Sequence, residues 1–382
     1  MEILVAELAR RGKLLVGDPF FEPGTPVVVD RKGAGEASVG DLVVLRLDRG
    51  RARLERVLGR PGDVEAVLEG LLWQEGERRA HAPLPEEPRG PEPDRVDLRD
   101  LLALTVDPEG AEDHDDALSF RAEGDGIRAW VHIADVSAYV PAGSVLDRDA
   151  AERAFSVYVP GRVAPMLPER LSADLCSLRL HADRRCVTVE VLLDGSLAPG
   201  EARFYRSTIR SRERLTYGHA EAILAGHERA GDELTAALRL AERAATALRN
   251  RRYRRGALRI ETGETSFAFD GEGGVERAWV ESEPHAHMLV EELMVLANEA
   301  VAELLAGRRC EALYRVHERP DPQAVDLLLA KLDDLEVPAP SVPDHLTPAE
   351  AAKLAARTST RVAEYAAQAG RGEEAFPALV LR

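Results

Sequence analysis

Two apolar runs that read as strands, residues 101–106 and 117–120, bracket Asp107, Asp113, Asp115 and Asp116, four aspartates within ten residues. Pro108 ends the first run, so the acids fall on a loop bounded by strands. Such a loop crowds its carboxylates: at about 4 Å and an effective dielectric near 20, each like-charged pair costs roughly 4 kcal/mol. The group must take up protons or bind a cation. All-oxygen ligands point to a hard ion, and several carboxylates with room for water and phosphate suit Mg²⁺ better than Zn²⁺. A calcium-binding EF-hand loop starting at Asp113 would need a glycine where Leu118 stands and a glutamate where Gly124 stands. A solvated acidic turn capping a neighbouring element is the competing reading from spacing alone.

Before this stretch the chain is organised differently. Residues 1–60 alternate short apolar runs with turns; residues 27–29 and 41–47 read as strands, with glycines at 33, 35 and 50 between and after them. A small β-barrel of the OB or cold-shock type is expected, although only Phe20 and Phe21 offer stacking surfaces. Residues 63–73 have helical spacing, and a second helix over 74–79 would make a helical hairpin or a helix-turn-helix-like unit. Prolines at 83, 85, 88, 91 and 93 mark a linker, which puts a domain boundary near residue 95. Beyond it, residues 127–136 and 186–193 read as strands, the latter with Val187, Val189 and Val191 on one face, and 233–252, 285–305 and 348–368 as helices. The body is therefore α+β, with strands and helices segregated and no internal repeat.

A net charge of -17 is a poor match for a general nucleic-acid binder, so any grip on phosphate must be local. Lys13, Lys32, Lys331 and Lys353 are the only lysines; arginine supplies the remaining positive charge and is dense over residues 203–214 and, around Tyr253, over 249–255. Either arginine stretch can fork onto phosphate or serve as a solvated face balancing nearby acids. Cys176, Cys186 and Cys310 are odd in number and lack zinc-ligand spacing, so free buried thiols are expected. Acidic residues near Met1 and the lack of a spanning apolar run predict a cytoplasmic protein without a membrane segment.

The aspartate stretch, read as Thr105-Val106-Asp107-Pro108 followed by Asp113, Asp115, Asp116 and Ala117-Leu118-Ser119, closely resembles the signature of the RNase II/RNase R family catalytic (RNB) domain. Further blocks match in order: Trp130-Val131-His132-Ile133-Ala134-Asp135, Tyr158-Val159-Pro160-Gly161, Arg214-Leu215-Thr216-Tyr217, Glu291-Glu292-Leu293-Met294 and Tyr314-Arg315-Val316-His317. The likeness spans residues 97 to 382. It implies an RNB domain of mixed sheet and packed helices over 96–382, preceded by the β-rich module (1–60) and the helical segment with its linker (61–95).

The resemblance further implies that Asp107, Asp113, Asp115 and Asp116 are the catalytic and metal-binding set. Asp107 and Asp116 would be direct ligands, and Asp115 the residue whose loss most damages turnover. The ion would be Mg²⁺, with Mn²⁺ as a substitute. Tyr158 would clamp the terminal base, while Tyr217 with Glu291 or Glu292 would touch the ribose and select RNA through its 2′-OH. His114 occupies a variable slot and is expected to be exposed. His132 and His317 fall in matching blocks, with a buried structural role as the alternative. Family members continue past the point matching residues 376–382 into a His-Phe-Thr-Ser-Pro-Ile-Arg-Arg-Tyr segment and a basic S1 module. The sequence holds neither, so the catalytic domain is expected to lack its C-terminal part. The implied function is processive 3′-to-5′ hydrolysis of single-stranded RNA to nucleoside 5′-monophosphates by a monomer. The rival functions are RNA binding without cleavage and a metal-dependent phosphodiesterase acting on other nucleotides.

Overall fold

The computed structural model describes residues 2–30, 37–48, 51–76, 80–84, 94–259, 265–270, 274–280, 284–316, 318–341, 346–372 and 375–381. They divide into two compact units, one of residues 1–92, 136–177 and 265–280, the other of 93–135, 178–264 and 281–382.

The first unit opens with β1 (Glu2–Arg11), β2 (Leu14–Pro19), β3 (Val27–Val28), β4 (Leu42–Asp48) and β5 (Arg51–Gly59), followed by α1 (Val64–Gly76). The sheet runs β3-β2-β1-β4-β5, and a parallel bridge from Val29 to Ala52 joins its two edges into a ring with the strand order of an OB barrel. Gly17 permits the closure, because a Cβ there would stand 2.4 Å from Leu45 Cδ1. Ala6, Leu8, Val43, Leu45 and Ala52 fill the interior, and Ala66 of α1 packs on Val5 and Leu42. The expected break near Gln74 is absent: α1 continues through it to Gly76, and Gln74 Oε1 accepts from Val5 N at 3.1 Å, tying the helix to β1. The glycines at 33, 35 and 50, the prolines at 85, 88, 91 and 93, and His317 lie outside the described residues.

The second unit begins with β6 (Val96–Asp97), β7 (Ala103–Asp107), β8 (Asp116–Glu123) and β9 (Gly126–Ala134). The chain then contributes α2 (Val145–Arg153) and the hairpin β10 (Val157–Val159) and β11 (Arg162–Ala164) to the first unit. It returns to the second with β12 (Asp183–Leu193), β13 (Arg203–Thr216), α3 (Tyr217–Ala225) and α4 (Asp232–Arg254). The hairpin β14 (Thr265–Phe269) and β15 (Val275–Val280) belongs to the first unit, and α5 (Pro284–Gly307), α6 (Pro322–Asp334), α7 (Pro348–Ala369) and α8 (Ala375–Leu381) to the second.

Strands β7, β8, β9, β12 and β13 close on one another, with β6 added beside β13. β13 makes the closure: residues 203–210 pair antiparallel with β12 and residues 211–216 pair parallel with β7, the register shifting between Ser211 and Glu213. Alternation sends Leu118, Val131, Val189 and Leu215 to a core shared with α3, α4 and α5. Ser119, His132, Thr188 and Ser207 are fully buried on the opposite face, joined by hydrogen bonds. A separate apolar cluster joins α6, α7 and α8 through Leu332, Val362 and Phe376.

The α+β expectation holds, and the strands and long helices fall within a few residues of their expected ends. The arginines at 206, 210, 212 and 214 fall on the exposed alternate positions of β13, where Arg210 pairs with Asp183 and Arg212 with Glu233. Cys176 and Cys186 are buried and outside any disulfide, but Cys310 is exposed, since it falls just beyond the end of α5. No helix among the described residues is long and apolar enough to cross a membrane.

Candidate active site

Asp107 is the last residue of β7 and Asp116 the first of β8, so the two strands bring the ends of the acidic loop together. Between them the chain turns at Gly110, whose φ of 82° is the left-handed region that glycine adopts without strain. Three anchors fix the loop: Ala134 N donates to Asp115 O at 2.8 Å, Leu178 N to His114 O at 2.8 Å, and Arg214 Nη2 to Ala111 O at 2.8 Å.

The carboxylates repel one another as the sequence predicts. Burial, then the neighbouring Asp107 and Asp115, push Asp116 up to about 6. Asp115 is raised as well, by burial first and then by Asp113 and Asp107; it is nonetheless the most exposed of the four, the others being half-buried. Asp107 Oδ2 is buried and accepts no hydrogen bond. His114 is not exposed: it is 3% accessible, with Nδ1 2.8 Å from Asp107 Oδ2. The hydrogen bond from Leu178 to its carbonyl draws the loop inward, so its ring fills space beneath the acids.

A hard divalent ion fits this donor set. Two carboxyls held above their ordinary range by burial and by neighbouring acids mark a site short of positive charge. No three His, Cys, Asp or Glu side chains among the described residues are grouped so as to hold a metal ion by themselves. Mg²⁺, which keeps several waters and takes one or two carboxylates plus phosphate oxygens, requires no such group.

The remaining expected residues fall into two groups. Tyr217 opens α3, directly after Thr216, which is the register partner of Asp107 and caps the helix by accepting from His219 N. Its ring stacks on His287 with centroids 3.8 Å apart and planes 13° from parallel. Glu291 and Glu292 follow on α5 and differ sharply. Glu292 has a side chain 1% exposed and receives Arg252 Nη2 at 2.6 Å and Nε at 3.3 Å; Glu291 is about half exposed and receives Arg252 Nη2 at 2.7 Å. Tyr158 belongs to the first unit, where it lies on β10 opposite Val163 and is 63% exposed. His132 is the buried structural histidine, with Nε2 3.1 Å from Ser119 Oγ.

Sequence reasoning missed the individual roles of Arg252 and His287. Arg252 lay in an arginine-dense stretch already singled out, and His287 stands one helical turn before Glu291, a spacing that places two side chains on one face.

A closed five-stranded barrel with an acidic loop between adjacent strands and helices over one face defines the class of RNB-fold proteins. The solved RNase R of Mycoplasma genitalium in complex with double-stranded RNA superposes with a TM-score of 0.81 at 24% identity, covering 100% of this chain and 70% of that one. The chain belongs to the RNB domain family, whose model matches residues 95–372. Ribonuclease R of Vibrio parahaemolyticus is 35% identical over 350 residues, 83% of this chain and 42% of that protein, so the chain spans less than half of that curated relative. Yeast Ssd1, described as a pseudonuclease, shares the fold with a TM-score of 0.71 at 16% identity, covering 94% of this chain and 49% of that one.

Proposed function

We propose that the chain carries the catalytic centre of a 3′-to-5′ exoribonuclease that processively releases nucleoside 5′-monophosphates from single-stranded RNA. The observation that carries this reading is the crowding of the acids at the ends of β7 and β8, where burial and then the neighbouring carboxylates raise Asp115 and Asp116. Homology to a ribonuclease R supports RNA as the substrate.

Asp107, Asp113, Asp115 and Asp116 would hold Mg²⁺, or Mn²⁺ in its place. When bound, divalent ions neutralise phosphate oxygens and ease departure of the 3′ oxygen. Asp107 and Asp116 serve as the fixed ligands because each ends a strand. Asp115, the solvent-facing acid, orients the water that attacks phosphorus and accepts its proton. Tyr158, on its tight hairpin, stacks on a base whatever its identity. Tyr217 and Glu291 contact the terminal ribose. Glu291 is chosen over Glu292 because Arg252 and burial already occupy Glu292, leaving it no surface for substrate. The protein works as a monomer in the cytoplasm.

One observation favours a second reading, RNA binding without cleavage: no three ligating side chains among the described residues are grouped so as to hold a metal ion by themselves. Incubating end-labelled single-stranded RNA with Mg²⁺, and in parallel with EDTA, decides between them. Mononucleotides that appear only with the metal support hydrolysis, and tight binding without products supports the second reading. Metal-independent products, or cuts within circular RNA, overturn the nuclease assignment.

A further inference from the structure

We propose that His287 is a positioning residue for RNA selection: its ring fixes the ring of Tyr217 and sets it one helical turn from Glu291. The proposal rests on the reading above that Tyr217 and Glu291 contact ribose.

Tyr217 is tied to the acidic loop from one side. It follows Thr216, whose Cα is paired with that of Asp107, so the first turn of α3 starts beside the strand end that carries the first carboxylate. A tyrosine in the first turn of a helix is normally free to turn about its Cα–Cβ bond. Here the His287 imidazole lies flat against it at 3.8 Å and 13°, and both rings are half-buried. A flat ring lying parallel against it blocks that rotation on one side.

A second contact fixes α5 beneath the stack. Glu221, one turn after Tyr217 on α3, accepts from the backbone N of His285 and of Ala286, each at 3.0 Å, and its Oε1 lies 2.6 Å from His285 Nδ1. These amides lie in the first turn of α5 and have no partner within the helix, so a carboxylate from α3 docks that end of α5 firmly. With α3 and α5 joined at two adjacent points, His287 cannot shift without Tyr217. Glu291 lies four residues beyond His287, on the same face of α5, and Arg252 holds its carboxylate from the other side. Register links Asp107 to Thr216, the chain links Thr216 to Tyr217, the stack links Tyr217 to His287, and Glu291 follows one turn further along α5.

A histidine whose only task was packing would affect RNA and DNA alike. A histidine that positions the ribose-sensing ring changes their ratio. The experiment measures the affinity of the intact chain for a fluorescent single-stranded RNA and for DNA of the same sequence, in EDTA, so that the readout is independent of turnover. Tyr217→Ala and His287→Ala should each lower the RNA-over-DNA ratio about tenfold, the equivalent of about 1.4 kcal/mol. The double variant should fall no further than either single one, because the two side chains act as a unit. His287→Phe, which keeps a flat ring, should stay within about twofold of the wild-type ratio.

A ratio unchanged in His287→Ala but lowered in Tyr217→Ala overturns the positioning role and leaves the ribose reading intact. A ratio unchanged in Tyr217→Ala, or a wild type without RNA preference, overturns both. His287→Phe falling as far as His287→Ala also overturns the stack as the cause. Should His287→Ala fail to fold, His287→Leu, which fills the space without an aromatic ring, takes its place: a ratio lowered as in Tyr217→Ala supports the stack, and an unchanged ratio overturns it.

Discussion

His114 Nδ1 stands 2.8 Å from Asp107 Oδ2, and both atoms are shut away from solvent. The imidazole therefore sits directly against a buried oxygen of the carboxylate that ends β7. Removing it in His114→Ala should destabilise the protein by about 1–3 kcal/mol, the usual range for a buried polar side chain that packs beneath a loop. The loss should be smaller in saturating Mg²⁺ than in EDTA, because a bound cation takes over at Asp107 the role of the lost ring. Urea unfolding in the two buffers measures both values. Equal losses in the two would mean that the histidine does no more than fill space.

Asp116 holds its proton up to about 6, against an ordinary 3.8. The folded state thus binds this proton more tightly than the unfolded chain, so the stabilisation is complete below pH 3.8 and is lost as pH rises through about 6. Asp116→Asn removes the titration. At pH 8 in EDTA the variant should be more stable than wild type by about 1–2 kcal/mol, after discounting the shift for partial exposure. Its hydrolysis of RNA should fall at least about a hundredfold, as expected when a group that stabilises a charged transition state is lost. A variant less stable than wild type at pH 8 would show that the acids do not repel.

Much of this centre was legible from the residue pattern, and the remainder failed for identifiable reasons. The four aspartates could be placed on a strand-bounded loop because strands are short and Pro108 stops one. The burial of His114 was invisible because it depends on a hydrogen bond from Leu178, 64 positions later. The two glutamates of α5 could not be told apart by spacing; their difference comes from Arg252 on another helix. β13 was read as an arginine-rich stretch with a matching block and not as a strand, since its exposed alternate residues mask the buried Ser207, Ile209 and Ser211 between them. Barrel closure was likewise hidden, as it requires one strand to serve two partners.

Glu292 and Glu291 should respond in opposite ways to amide substitution. Glu292→Gln leaves the partly buried Arg252 guanidinium without its main counter-charge and should cost about 2–4 kcal/mol of stability. Glu291→Gln alters an exposed edge of the same pair and should cost less than about 1 kcal/mol. Thermal and urea unfolding of both variants test the contrast. A Glu291→Gln loss as large as that of Glu292→Gln would remove the structural ground for assigning ribose contact to Glu291.

His132 titrates against the trend of Asp116. Its Nε2 lies 3.1 Å from Ser119 Oγ and its Nδ1 2.9 Å from Thr188 Oγ1, which in turn is 2.6 Å from Ser207 Oγ, a chain that crosses β8, β9, β12 and β13. Complete burial pushes the imidazole down to about 3 from an ordinary 6.5. The unfolded chain therefore takes up this proton first: the stability is fully present above pH 6.5 and is lost as pH falls toward about 3. His132→Gln keeps a hydrogen-bonding side chain and cannot titrate, so the gap between wild type and variant isolates the histidine from the opposing slope of Asp116. Between pH 7 and pH 4 that gap should change in the variant's favour by about 2–3 kcal/mol, approaching the limiting slope of about 1.4 kcal/mol per pH unit. Urea midpoints at half-unit steps of pH provide the curve. A gap that stays constant across the window would mean that His132 is protonated, or reaches water, in the folded barrel.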